Sequence, residues 1–104
     1  MNLLICDDNS IELKKTSDLV RKWSALNKID IAIFETDDVE VALKSAVMTD
    51  YEIALLDIEM PQMDGMDVTD VLRKNNPDIL VIFISNYESY VCDAFSLKVW
   101  IIHK

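Results

Sequence analysis

A single glycine among 104 residues is the scarcest feature of this chain, and it excludes a great deal. Walker A loops, dinucleotide-binding GxGxxG turns and glycine-rich nucleotide covers all need several glycines where the backbone approaches phosphate. Histidine is equally rare, with His103 alone, and the two cysteines, Cys6 and Cys92, lie in unrelated apolar segments. Neither a CxxC nor a Cys/His zinc spacing exists, so the thiols read as buried and reduced, not as ligands or a disulfide. Basic residues number ten against nineteen acidic ones, giving a net charge of −9. Nucleic acid and acidic membranes both require a basic patch, so neither fits as a partner. No apolar run approaches the ~20 residues of a membrane span. The opening MNLLICDD turns acidic too soon for a signal peptide, so a cytoplasmic location is the expectation.

What is present is apolar enough to fold: 51% of the residues are hydrophobic, and the length suits one domain. Short continuous apolar runs at 3–6, 29–34, 53–56, 79–84 and 99–102 read as strands buried on both faces, the pattern of a parallel sheet. Helical spacing fills the intervals. Leu19, Trp23 and Leu26 stand at i, i+4 and i+7, and Val39, Ala42, Leu43 and Ala46 follow in a second interval. Val68, Val71 and Leu72 mark a third helix, and a weaker fourth lies around Ser89 to Phe95. Asp37 with Glu40 resembles a capping box, and Asn76-Pro77 closes the third helix. Alternation of this kind predicts right-handed βαβ crossovers and an α/β domain with helices on both faces. Five strands but four helices are counted, and residue 104 follows directly on a strand.

Ligands in such sheets bind beyond the carboxyl ends of the strands. Those ends carry Asp7-Asp8, Asp57, Ser85 and Lys104. Converging carboxylates repel one another, and a hard divalent ion with oxygen ligands relieves the repulsion. Mg²⁺ is therefore expected on Asp8 and Asp57, with Asp7 acting through water and the backbone carbonyl of Glu59 completing the shell. Plainer roles stay open at this point. Asp7-Asp8 could cap a helix, Ser85 with Glu88 could form a capping box, Lys104 could be a solvated charge, and Asp64-Gly65 could be a tight turn.

The stretch YEIALLDIEMPQMDGMDV at 51–68 resembles the phosphoacceptor strand and loop of bacterial response-regulator receiver domains, with CDD at 6–8 and FIS at 83–85 in the same order. SNYESYVCDAF at 85–95 is similar to receivers that precede LytTR-type DNA-binding domains. The resemblance implies a flavodoxin-like doubly wound sheet of order 2-1-3-4-5. It implies that Asp57 accepts a phosphoryl group from a sensor histidine kinase with Mg²⁺, that Ser85 shifts onto the phosphate, and that Lys104 pairs with it. It also implies a signalling switch rather than an enzyme, driving a transcriptional output whose DNA-binding domain is not in this sequence. Gly65 then suits a backbone reversal after the acceptor loop.

The sequence departs from the family at its end. Ile101, not an aromatic residue, stands three before Lys104, and Trp100 lies one earlier; Lys98 is the other candidate lysine, placed before the strand. The family's fifth helix has no counterpart, which predicts a C-terminally short receiver with an uncovered sheet face, open to homodimers or segment exchange. Two other functions fit in part. One is a receiver-like interaction module that is not phosphorylated. The other is a small Mg²⁺-dependent phosphohydrolase, although Glu59 stands where such enzymes carry an aspartate general acid.

Overall fold

The computed structural model describes the backbone of residues 1–57, 59–60, 63–85 and 99–103, and the side chains of 1–57 and 67–84. Five strands, β1 (Asn2–Cys6), β2 (Ala32–Thr36), β3 (Ile53–Asp57), β6 (Leu80–Ser85) and β7 (Val99–His103), form one parallel sheet in the order β2-β1-β3-β6-β7. In strand rank this is the predicted order, 2-1-3-4-5. Two further short strands, β4 (Glu59–Met60) and β5 (Met63–Asp64), pair antiparallel into a small hairpin that the sequence reading did not anticipate.

Alternation along the strands divides the core. Leu4, Cys6, Ala54, Leu56, Val81 and Phe83 point to one face, where α2 (Val39–Met48) and α3 (Gly65–Asn75) cover them with Val39, Ala42, Ala46, Val68 and Leu72. Leu3, Ile5 and Leu55 point to the other, beneath α1 (Ser10–Asn27), which packs through Leu13 and Val20. Full burial of a Phe83- or Leu56-sized side chain contributes roughly 1.5–3 kcal/mol, and among the described residues most of the fully buried side chains lie on the first face. Polar groups under α2 are satisfied locally: Tyr51 Oη donates to Ser45 Oγ at 3.0 Å, and Ser45 Oγ donates to the Ala42 carbonyl at 2.7 Å.

Several predicted details shift. The helix over 19–26 forms, but Leu19, Trp23 and Leu26 lie on its solvent side. Its packed positions are Leu13, Ser17, Val20 and Ser24, spaced i, i+4, i+7, i+11; Ser17 is buried and Ser24 Oγ donates to the Ile29 carbonyl. Two serines in that row hide the stripe from a hydrophobicity reading. The apolar run at 29–34 also divides. Lys28 adopts the left-handed conformation (φ 56°, ψ 42°), and the Lys28 and Ile29 N–H groups return to the Ala25 and Ser24 carbonyls, a Schellman ending. Ile29 thus belongs to the helix stop, and β2 starts at Ala32. The N-cap of α2 is Asp38, not Asp37: its carboxylate accepts from the Glu40 and Val41 N–H groups. Gly65 opens α3 instead of a left-handed turn, since among the described residues only Lys28 has a positive φ. Asn76 behaves as expected, its N–H closing α3 on the Leu72 carbonyl at 2.9 Å.

Candidate functional site

The sheet register brings the acidic residues together. Cys6 pairs with Leu56, so Asp7 and Asp8, leaving β1, emerge beside Asp57, the last residue of β3. Carboxylate oxygens of Asp7, Asp8 and Asp57 all lie within 4.8 Å of one another. Asp7 is buried, Asp57 half-buried and Asp8 exposed, so the cluster has a closed side and a wet one.

Asp7 is held at three points. Its N–H donates to the Thr36 carbonyl at 3.3 Å, its chain continues β1, and its Oδ1 accepts the Asn9 N–H at 2.9 Å. The capping role left open for Asp7-Asp8 falls instead to Asn9, whose Oδ1 accepts from Ile11 (3.0 Å) and Glu12 (3.2 Å) at the start of α1. Sequence reasoning missed Asn9, although Asn9 with Glu12 three residues later is itself a helix-start signature. Thr36 was missed too: its hydroxyl accepts the Asp38 N–H at 3.1 Å and so orders the neighbouring strand end.

The charge of this edge is felt by the residue just inside it. Burial pushes the Cys6 thiol up from 9.0 to about 12, and Asp7, Asp38, Asp37 and Asp57 push it the same way. A thiolate beside four carboxylates is disfavoured, so Cys6 stays neutral and inert.

Of the other predicted residues, Glu59 begins β4 directly after the edge, opposite Asp64 in the hairpin. Ser85 ends β6, one residue past Ile84, which pairs with Asp57, and is itself paired with His103. The Ser85 side chain, the proposed helix around 89–95 with Glu88, and both Lys98 and Lys104 lie outside the described residues.

The donor set is all oxygen, and three like charges within 4.8 Å repel unless a cation or a proton joins them. Such a set, open on the Asp8 side to water or an incoming oxygen, fits Mg²⁺.

A five-stranded parallel sheet in this order, helices on both faces and a carboxylate cluster at its C-terminal edge define a flavodoxin-like domain with its chemistry at the strand ends. Residues 3–100 match the response regulator receiver domain family, and the chain belongs to it. It is similar to the transcriptional regulatory protein NatR of Bacillus subtilis, 32% identical over 95 residues that make up 91% of this chain and 39% of NatR. It is also similar to the sensory transduction protein LytR of Streptococcus mutans, 28% identical over 91% of this chain and 38% of LytR. The chain thus spans about two-fifths of the length of these relatives. Among solved structures, the response regulator TrrA of Thermotoga maritima in complex with Mg²⁺-BeF superposes with a TM-score of 0.82 at 25% identity, covering 99% of this chain and 85% of TrrA. The chain is therefore a receiver domain of the kind found in two-component signalling response regulators. No helix among the described residues is long and apolar enough to cross a membrane.

Proposed function

We propose that Asp57 is the phosphoacceptor of a cytoplasmic signalling switch and takes its phosphoryl group from the phosphohistidine of a sensor histidine kinase. An oxygen of the Asp57 carboxylate attacks phosphorus in line, the P–N bond breaks, and the histidine nitrogen leaves with the electron pair. Asp8 and Asp57 would hold Mg²⁺ through their carboxylates, with Asp7 acting through water and Glu59 through its backbone carbonyl. When bound, Mg²⁺ offsets charge on the phosphoryl oxygens. Ser85 donates its hydroxyl to the phosphate and Lys104 pairs with it. The added charge of about −1.5 to −2 is the switch. The output is transcriptional, in keeping with the name borne by NatR.

The observation that supports this reading most is the approach of Asp7, Asp8 and Asp57 within 4.8 Å at the strand ends. Incubation with Mg²⁺ and a small acyl phosphate should add the mass of one phosphoryl group to the intact protein, and Asp57→Asn should abolish the gain. A folded protein that gains no mass would overturn the proposal in favour of a receiver-like interaction module. Repeated turnover of an organic phosphate would favour the phosphohydrolase.

A further inference from the structure

The acidic edge extends one strand beyond the cluster. β1 and β2 run parallel with Cys6 opposite Thr36, and the 3.3 Å bond from the Asp7 N–H to the Thr36 carbonyl carries the ladder one residue further. Each strand is followed there by two aspartates, Asp7-Asp8 after β1 and Asp37-Asp38 after β2. The second pair thus leaves the sheet beside the first, one to two strand spacings, about 5–10 Å, from the gathered carboxylates. Asp37 and Asp38 are exposed, and the charge of both reaches Cys6 just inside the edge.

Hydrogen bonding gives the two pairs different work. Asp38 caps α2: its Oδ1 accepts from the Glu40 N–H at 2.9 Å and the Val41 N–H at 3.4 Å. A carboxylate turned to a helix start keeps its charge at the edge but is not offered to an ion. Asp37 stands exposed before that cap, and neither residue belongs to the group gathered within 4.8 Å.

We propose that Asp37 and Asp38 raise the divalent-cation affinity of the Asp7, Asp8 and Asp57 cluster through their charge, without ligating the ion. This rests on the reading of that cluster as the Mg²⁺ site and adds two residues that act on it from outside. Such a field differs from ligation in two ways. It depends on the charge of the ion and not on its size or preferred coordination, and salt screens it. Until a cation is in place, the same field repels an anionic phosphoryl donor.

Calorimetric titration of the 104-residue chain with Mg²⁺, and separately with Ca²⁺, tests this. Asp37→Asn should weaken both ions by one common factor, about three- to tenfold at low ionic strength. In roughly 1 M monovalent salt, where screening acts within about 3 Å, that deficit should shrink below about twofold. Asp38→Asn should behave alike, since asparagine keeps the cap. Asp50→Asn makes the same charge change ahead of β3, at the opposite edge of the sheet, and should leave binding unchanged. Asp8→Asn should lose most of the binding in either salt. A wild type that binds neither ion overturns the cluster reading and the proposal with it. Loss in Asp8→Asn with Asp37→Asn and Asp38→Asn equal to wild type overturns the proposal alone. A deficit in either variant that survives high salt, or that differs between Mg²⁺ and Ca²⁺, overturns it equally by making that residue a ligand.

Discussion

Asp7 and Asn9 are joined by a 2.9 Å hydrogen bond from the Asn9 N–H to the Asp7 carboxylate, and Asn9 in turn caps α1. The acidic edge and the first helix are thus positioned by one three-residue turn. Replacing Asn9 by alanine removes the cap and should lower unfolding stability by about 1 kcal/mol. Urea denaturation should show a lower midpoint with an unchanged m-value, and Mg²⁺ affinity should fall with it.

Asp8→Asn removes one of three mutually repelling carboxylates. Melting temperatures in chelator set the baseline for each protein. Addition of Mg²⁺ should stabilise wild type by about 2.7 kcal/mol at a hundredfold excess over Kd, and the variant far less. Equal stabilisation of both proteins would remove Asp8 from the site.

The Cys6 thiol, raised from 9.0 to about 12, links stability to alkaline pH. Below pH 9 both folded and unfolded thiols are protonated and the contribution is complete. Between pH 9 and 12 the unfolded chain ionises first, so stability falls by about 1.4 kcal/mol per pH unit from this group. Chemical denaturation at pH 8 and pH 10 should show the drop in wild type and a shallower one in Cys6→Ala. Alkylating reagents should reach Cys6 only after unfolding.

Lys28 occupies a left-handed position that glycine adopts without steric cost. Lys28→Gly should therefore stabilise the protein by roughly 0.5–1 kcal/mol despite the loss of a charge from the α1 terminus. A decrease in the denaturation midpoint would show that the lysine side chain contributes more than the backbone strain costs.

The sheet was legible because strands covered on both faces must be apolar throughout, and LLIC, IALL and LVIFI are. The site was legible for a related reason: a charged residue ending such a run has to lie at the sheet's edge, which located Asp7, Asp8 and Asp57. Helix faces were harder. Ser17 and Ser24 occupy packed positions on α1, while Leu19, Trp23 and Leu26 show the same periodicity and face water. Periodicity reports that a helix has an apolar side; it does not say which neighbour covers it. The α2 cap was placed one residue early, at Asp37, and the α1 cap falls on Asn9 and not on the Asp7-Asp8 pair for which that role was left open, because consecutive polar residues at a helix start compete for the same N–H groups and backbone geometry decides among them.

β1 is the first strand of the chain and a central strand of the sheet, flanked by β2 and β3. Its partner residues lie 30 positions away on one edge, Asn2 with Ala32, and 50 away on the other, Leu3 with Ile53. During synthesis, then, β1-α1-β2 can associate early, but the second edge of LLIC stays unpaired until β3 has left the ribosome. Through that interval an apolar strand presents open hydrogen-bonding groups on one side. Docking of β3 onto β1 closes that open edge, and it is the same event that brings Asp57 to Asp7.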